Sequence, residues 1–382
     1  MREEASPAGW TAATVSQLAQ VATGSAPPPH SGVVPVMGAN GKIGKTGRVN
    51  FQGGILIGRV GAAGATHYQQ EPCWASDNVL TVTTKPQSAD PRFLYWWLTW
   101  RNLANLASRT AQPLITQTQV RKLEISYPAS LVKQRRIAEI LDSVEESTRS
   151  TERLLDKLAV TADGTLRSLL GQLAGHTAES LEIMRPLGSI GRIRSGSTPS
   201  RALHSRYYAN GNLPWVKTMD LNEDVLTSTD ERITDAAVAD YSCPILAPMT
   251  VLIAMYGGWA QIGRTAILGR TATINQAISA VEIHDLTVDP SYVQLALQLG
   301  RRYWKGIAAS TRKDPNITRA DVLAFEIPVP AIDKQRRIVA VSKVAKARIK
   351  AEQMKLAKLR RIKDGLMEDL LTGRVRVSVE GA

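Results

Sequence analysis

One stretch of the chain has the residue types and spacing of a nucleotide-binding loop. Ala39-Asn40-Gly41-Lys42-Ile43-Gly44-Lys45-Thr46 fits the loose pattern Ala/Gly-x4-Gly-Lys-Ser/Thr. In a working phosphate loop, amides at the N-terminus of a following helix, a lysine and a hydroxyl hold the phosphates and their magnesium. Here Gly47-Arg48-Val49-Asn50-Phe51-Gln52-Gly53-Gly54 follows, with two closing glycines and no helical stripe, and no apolar strand ends in a metal-binding aspartate. The motif is expected to be a decoy; a P-loop ATPase using Lys45 and Thr46 stays as an alternative. Gly58-Arg59-Val60-Gly61-Ala62-Ala63-Gly64 and Gly257-Gly258 follow apolar strands but lack dinucleotide spacing, so they are read as tight turns. No Asp/Asn-Pro-Pro-aromatic segment for methylating an exocyclic amine is present, since Asp314-Pro315-Asn316-Ile317 lacks the second proline and the aromatic ring. Cys73 and Cys243 form no CxxC pair, and His67, His176 and His284 show no ligand spacing. The chain is expected to be non-catalytic, without a metal, cofactor or disulfide framework.

What the sequence does contain is a duplication. KQRRI occurs at Lys133 to Ile137 and again at Lys334 to Ile338, and each copy opens about forty residues of helical spacing. At an offset of 201, with no gap, Leu155 falls on Leu356, Leu158 on Leu359, Asp163-Gly164 on Asp364-Gly365 and Leu169-Leu170 on Leu370-Leu371. Upstream, Pro113, Ile115 and Thr116 match Pro315, Ile317 and Thr318, and Asp90-Pro91 matches Asp289-Pro290. The offset falls to 172 near Val21 and Ile193. Insertions therefore accumulate in the globular parts and almost none in the helices. A repeat of this kind decides the architecture before any single element does.

Composition agrees. A chain of 382 residues suits two modest domains plus long helices. A net charge of +13 and a pI near 9.8 suggest a polyanionic partner. The charge is uneven: residues 332–376 hold fourteen Lys or Arg against five acids, whereas residues 131–171 hold seven of each. The second helix is thus strongly basic, and the run is either a solvated face or one turned to nucleic acid or to an acidic partner. Met1 to Pro7 lacks a signal-peptide core and no run of 18 apolar residues occurs, so a cytoplasmic protein without a membrane partner is expected.

Short strands are read at Val33 to Val36, Ile55 to Ile57 and Val79 to Val82, followed by a helix from Pro91 to Leu106 whose Trp96, Trp97 and Trp100 are expected in the core. The second module repeats the plan with Leu213 to Lys217, Thr250 to Met255, Ile278 to Ile283 and a helix from Pro290 to Tyr303. In the first long helix, Ile137, Leu141, Val144, Thr148, Thr151, Leu155, Leu158, Ala162, Thr165 and Leu169 alternate spacings of four and three, a coiled-coil seam. The second has a weaker stripe of Ile338, Ser342, Ala345, Ile349, Glu352, Leu356, Leu359, Lys363, Leu366 and Leu370. The expected fold is α+β: two α/β modules joined by two long antiparallel coiled-coil helices in a pseudo-twofold internal repeat. The boundaries are residues 1–130, a first module; 131–172, a first helix; 173–185, a linker; 186–330, a second module; 331–373, a second helix; and 374–382, a tail.

These features together resemble the DNA-specificity subunit of type I restriction-modification enzymes, over essentially the whole chain. The resemblance is carried by Pro186-Leu187-Gly188 through Gly196-Ser197-Thr198-Pro199 to Pro214-Trp215-Val216, by Pro35-Val36-Met37-Gly38-Ala39-Asn40-Gly41, and by Ile55-Leu56-Ile57-Gly58-Arg59-Val60-Gly61. Both KQRRI starts and Leu370-Leu371-Thr372-Gly373-Arg374-Val375 belong to the same pattern, which departs from itself where Val36 stands opposite Trp215. The resemblance implies two target-recognition domains, each reading half of a bipartite, asymmetric site in double-stranded DNA. It also implies partners: two modification subunits that methylate adenine with S-adenosylmethionine, and restriction subunits using ATP and magnesium. In such proteins the helices set the gap and dock the modification subunits, which nominates Lys133, Gln134, Arg135, Arg136, Ile137, Lys334, Gln335, Arg336, Arg337 and Ile338. A coiled-coil scaffold that reads no sequence is the other alternative.

Base edges are told apart by Arg or Lys on guanine and Asn or Gln on adenine, while phosphate contacts supply register. The candidates in loop-like segments are Asn40, Lys42, Lys45, Arg48, Arg59 and Gln112 in the first module, and Lys217, Arg264, Arg312, Lys313 and Asn316 in the second. Tyr256 and Trp259 are candidates for stacking on a base, though core packing is the expectation for both. If the helices act as a ruler, inserting four residues near Thr151 adds about 6 Å of helix. The expected outcome is a gap longer by one or two base pairs with both half-sites intact, read by mapping methylated sites; altered half-sites with an unchanged gap sink the ruler.

Overall fold

The computed structural model describes residues 7–29, 32–108, 113–174, 184–311 and 316–378. The first module runs β1 (Trp10–Thr14), α1 (Val15–Leu18), β2 (Ala19–Thr23), β3 (Val34–Gly38), β4 (Gly41–Thr46), β5 (Gly54–Gly58), β6 (Thr66–Gln69), β7 (Trp74–Ala75), β8 (Val79–Thr84), α2 (Pro91–Trp100), α3 (Gln117–Arg121) and β9 (Glu124–Pro128), and leads into α4 (Leu131–Ala174). The second runs β10 (Met184–Pro186), α5 (Leu187–Ile190), β11 (Gly191–Ser195), α6 (His204–Tyr207), β12 (Leu213–Val216), β13 (Val225–Leu226), β14 (Glu231–Ile233), α7 (Asp235–Tyr241), β15 (Val251–Ala254), β16 (Thr265–Leu268), β17 (Thr273–Ile274), β18 (Ile278–Ile283), α8 (Pro290–Leu299), α9 (Arg301–Thr311), α10 (Arg319–Ala324) and β19 (Glu326–Pro328), and leads into α11 (Ile332–Leu371).

The chain divides into two compact units, 1–154 with 352–382 and 155–351, so each unit contains one module and part of both long helices. In the first unit an antiparallel sheet of order β2-β8-β5-β6 lies with a three-stranded sheet, β4-β3-β7. The second unit repeats both, as β11-β18-β15-β16-β13 and β14-β12-β17. In each, one parallel pair, β3 with β7 and β12 with β17, makes the small sheet mixed.

Strand alternation sorts the core. Ile55 and Ile57 join one cluster with Phe93, Leu94, Trp96 and Trp97 of α2, Ile137 and Leu141 of α4, and Leu370 and Leu371 of α11. Leu56 faces the other way, onto Phe51, Cys73 and Val79. Val251 and Ile253 pack with Tyr292, Val293 and Leu297 of α8, Leu166 of α4 and Ile338 of α11, while Leu252 and Ala254 turn to Val216 and Ile274. Such strands are buried on both faces, which is why they read as unbroken apolar runs.

The repeat's signature residues prove to be helix starts. Asp90 caps α2 by accepting from the amides of Arg92 and Phe93 at 3.0 Å each, and Asp289 caps α8 from Ser291 N at 2.7 Å, each with proline at the first helical position. Thr116 and Thr318 head capping boxes on α3 and α10. The helix expected over 91–106 stops at Trp100 because Asn102 adopts φ +48, and a short 3-10 turn at Leu103–Leu106 follows. Likewise the helix expected to reach Tyr303 ends at Leu299, and α9 starts afresh at Arg301 after Gly300.

Within the first unit α4 and α11 run antiparallel, as Glu145 meets Lys363 at 3.0 Å and Glu152 meets Arg360 at 2.8 Å. The second stripe is buried or half-buried at every position named. In α4, however, Thr165 is exposed and Leu166 takes its place at 7% exposure. A straight helix has 3.6 residues per turn against 3.5 for a strict heptad, so the stripe drifts and steps by four at this end. Beyond α11, Gly373 adopts φ +75, and a Cβ there would lie 2.8 Å from Trp10 and 2.9 Å from Pro7, so only glycine lets the tail close on the N-terminal strand.

The glutamine of each KQRRI is fully enclosed. Gln134 Oε1 accepts from Asp90 N at 2.8 Å and its Nε2 donates to Pro128 O at 2.8 Å. Gln335 repeats this with Asp289 N at 2.9 Å, Thr287 O at 2.9 Å and Pro330 O at 2.7 Å. Each glutamine therefore ties the start of a long helix to the cap of its module's helix. Removing the amide strands buried backbone groups. Gln134→Ala is expected to lower the urea unfolding free energy by about 2–4 kcal/mol, whereas Arg136→Ala on the exposed side of the same turn stays within about 0.5 kcal/mol; equal effects would contradict the latch.

Candidate nucleic-acid interface

The phosphate-loop-like residues form a β-hairpin. β3 and β4 pair antiparallel across the turn Ala39-Asn40, with Gly41 at φ +102. Lys45 stands opposite Pro35 in the ladder and Thr46 is buried at 1% exposure. The segment is thus extended strand, and no helix follows to offer its N-terminal amides to a phosphate. The P-loop ATPase alternative falls on this geometry. What the hairpin does present is cations: Asn40, Lys42, Lys45 and Arg48 are all exposed.

The hairpin turn has a neighbour. A Cβ on Gly58 would lie 3.2 Å from the Cβ of Ala39, so the loop after β5 runs beside the turn, and His67 Nε2 lies 3.2 Å from the Ala39 carbonyl. Arg59 on this loop is half-buried and donates to Asp77 O at 3.2 Å. The Arg59 carbonyl accepts from Ile115 N at 3.0 Å, joining a third segment to the surface. Residues 5–70 contain Lys42, Lys45, Arg48 and Arg59 and not one Asp or Glu. A cationic hairpin drawn from an acid-free stretch of sequence, with Asp77 beside Arg59, is a feature that suits a polyanion.

The second unit uses the same frame with different contents. A 3-10 turn, Thr218–Asp220, follows β12 in place of the hairpin, and the loop after β15 borders it: a Cβ on Gly257 would lie 3.3 Å from Thr218 Oγ1. Ile317 N donates to Met255 O at 2.9 Å, as Ile115 does to Arg59. Lys217 is engaged internally, its Nζ 2.6 Å from Glu231 Oε1, and Arg201 holds the other carboxylate oxygen at 2.7 Å. Arg201's hydrogen bond, followed by that of Lys217, keeps the Glu231 carboxyl below its usual range against the effect of burial. Lys217 is thus paired within the small sheet. Arg264 is half-buried and donates to Gln261 Oε1 at 3.1 Å. Asn316 is half-buried, and among the described residues its Oδ1 has no hydrogen-bond partner. Tyr256 and Trp259 are 36% and 48% exposed, against the expectation of core packing. Gln112, Arg312 and Lys313 lie outside the described residues.

On the long helices, Gln134, Gln335, Ile137 and Ile338 are buried, so they hold the helix starts and present nothing to a partner. Lys133, Arg135, Arg136, Arg336 and Arg337 are exposed and Lys334 is half-buried. Arg135 lies 3.6 Å from Asp90, Arg136 3.2 Å from Glu139 and Arg336 3.9 Å from Asp333.

Composition and motif gave no hint of the module-to-helix contacts. Asp142 of α4 receives Arg92 Nε at 2.9 Å and Trp96 Nε1 at 2.8 Å, while Arg92 lies 4.3 Å over the Tyr68 ring. Asp142, Arg92, Tyr68 and Glu145 border a groove of about 470 Å³. Burial pushes the Glu145 carboxyl up, but Lys363 and Arg149 outweigh it and leave the group below its usual range. In the second unit the sign is reversed: Lys346 Nζ donates to Glu223 O and Gln298 Oε1, at 3.0 Å each, and its own burial pushes it down. The signal was available in the offset of 201, which sets Asp142 on Lys343 and Glu145 on Lys346.

The profile of the family described as the type I restriction modification DNA specificity domain matches residues 7–159 and 181–361, once per repeat. The EcoR124I/EcoR124II specificity subunit of Escherichia coli is 23% identical over 255 residues, 65% of this chain and 62% of that protein. The MjaIX specificity subunit of Methanocaldococcus jannaschii is 29% identical over 162 residues, 41% of this chain and 36% of that protein. The matches thus span less than two thirds of either relative. Among solved structures, the S subunit of a type I system from M. genitalium aligns over 94% of this chain and 96% of its own, with a TM-score of 0.65 and 18% identity. A chain from a structure of the type I R-M system aligns over 97% and 99%, with a TM-score of 0.59 and 18% identity. At such identities the structural likeness speaks for the fold. With the family profile covering both repeats, the chain belongs to the type I restriction modification DNA specificity domain family.

Proposed function

We propose that this chain supplies sequence specificity to a type I restriction-modification complex in the cytoplasm. Each module reads one half of a bipartite, asymmetric site in double-stranded DNA. Two modification subunits dock on the long helices and methylate adenine with S-adenosylmethionine, and restriction subunits bring ATP and magnesium. The chain itself contributes reading and spacing, with no chemistry of its own.

One observation carries the reading: a single strand order occurs twice, and the segments at one end of it differ completely. A cationic hairpin follows β3, whereas a 3-10 turn and two further strands follow β12. A scaffold gains nothing from keeping the frame while changing that surface, but reading two unlike half-sites requires it. Hydrogen bonds and apolar contacts to base edges then specify, while exposed cations such as Lys42, Lys45 and Arg48 fix register on phosphates.

Co-expression with the cognate modification subunit, followed by mapping of methylated adenines across a genome, tests this directly. A split, asymmetric motif is expected; no methylation beside a partner proven active with another specificity subunit would reject the assignment. Duplex binding in a salt series tests the face itself. Lys42→Ala, Lys45→Ala and Arg48→Ala are each expected to flatten the slope of log affinity against log salt by about one. Lys217→Ala should leave that slope alone and lower the melting temperature instead.

A further inference from the structure

Among the exposed large apolar side chains of the second unit, three lie on two bordering segments: Met219 at 68%, Trp259 at 48% and Tyr256 at 36% exposure. The loop carrying Tyr256 and Trp259 borders the turn carrying Met219, through the approach of Gly257 to Thr218. Clustered exposed apolar groups mark a contact site more often than scattered ones do.

The indole is held out by a fixed loop. Gly257 and Gly258 adopt φ +116 and +93. The amides of Gln261 and Ile262 donate to Gly258 O at 2.9 and 3.2 Å, Gly263 N donates to Ala254 O at 3.0 Å, and Arg301 Nη2 donates to Ala260 O at 2.8 Å. Ile262 is fully buried beneath, so the loop is anchored on both sides of its tip.

Charge selects the occupant. Residues 241–281 contain Arg264 and Arg270 and no Asp or Glu. Of the acids on the flanking segments, Glu223 is paired with Arg301 at 3.0 Å, while Asp220, beside Asp230, accepts from Lys217 N at 2.7 Å and burial raises its carboxyl. The surroundings therefore favour a polyanion that also offers flat apolar faces, which is the description of stacked bases. The corresponding loop of the first unit, Gly58 to Gly64, contains no aromatic residue.

We propose that Trp259, flanked by Tyr256 and Met219, inserts at one base step of the half-site read by the second module and unstacks it. Inserted apolar side chains kink duplexes in this way, and pyrimidine–purine steps yield most easily. That half-site accordingly contains a pyrimidine–purine step at the point of insertion, and the first half-site has no such requirement. The proposal rests on the specificity reading above.

The test uses the full complex of this chain with its modification subunits, comparing the parent with Trp259→Ala and Trp259→Phe after checking that all three melt alike. Duplexes carry the mapped site with 2-aminopurine beside the step in the second half-site or, as a control, in the first. The expected result is a rise in emission for the parent in the second position alone. Trp259→Ala should lose that rise and about 10- to 100-fold in affinity, the range expected for one base–aromatic stack, while Trp259→Phe stays within a few-fold. Changing the step to one that is not pyrimidine–purine should weaken the parent and leave Trp259→Ala unaffected. Unchanged affinity and emission in Trp259→Ala would overturn the proposal. Failure of Trp259→Ala to assemble with the modification subunits would also overturn it, by giving the patch to a protein partner. A parent complex without sequence preference removes the specificity reading itself, and shows this before any substitution is made.

Discussion

Each unit depends on one buried glutamine. Gln134 and Gln335 sit in the first turn of the long helices, where backbone amides and carbonyls have no helical partner, and bridge to the cap of α2 or α8 and to the strand exit just before the helix. A buried amide that satisfies two or three backbone groups with good geometry is worth far more than the exposed ion pairs around it, because its loss leaves those groups desolvated and unpaired. This explains a feature of the repeat that a docking role does not. The glutamine, Asp90-Pro91 and Asp289-Pro290 are repeated together because they are parts of the same joint. The arginines between them face solvent and vary in their partners.

Beyond that joint the two units diverge in a directed way. Asp142 and Glu145 on α4 meet cations, namely Arg92 from the module and Lys363 from α11. At the equivalent places on α11 stand Lys343 and Lys346, and Lys346 meets oxygens of its own module. The balanced charge of α4 and the basic surplus of α11 are thus partly an internal matter. Glu152 draws one further cation of α11, Arg360, into a pair. The rest of that surplus remains on an exposed face.

The segments that border the small sheets show the same division between frame and content. β3 and β12, β5 and β15, β7 and β17 occupy matching places, and in both units the segment after the first borders the loop after the second. What fills that border is a cationic hairpin in one unit and a turn with exposed Met219, Tyr256 and Trp259 in the other. A rigid frame with interchangeable edge segments allows one fold to present two chemistries, since loops tolerate change that the core does not.

Sequence by itself determined the duplication, the α+β class, several of the short strands and the two helices to within two residues at each end. These follow from local rules: apolar periodicity, proline and aspartate at helix starts, and spacing that survives without gaps. It also sufficed to doubt the phosphate-loop match, since a strand-like tract of glycines cannot present a helix N-terminus. Tertiary structure alone decided which polar side chains are free. Gln134 and Lys217 carry the same residue types as a surface contact, yet one is enclosed by backbone 44 residues away and the other is neutralised by Glu231 on a neighbouring strand. Trp259 errs in the opposite direction, an apolar ring left in solvent by two glycines at positive φ. Burial and pairing depend on contacts distant in sequence, and periodicity contains no information about them. The slip of the α4 seam from Thr165 to Leu166 has the same origin: heptad counting assumes a supercoil, and the helix follows 3.6 residues per turn wherever packing allows.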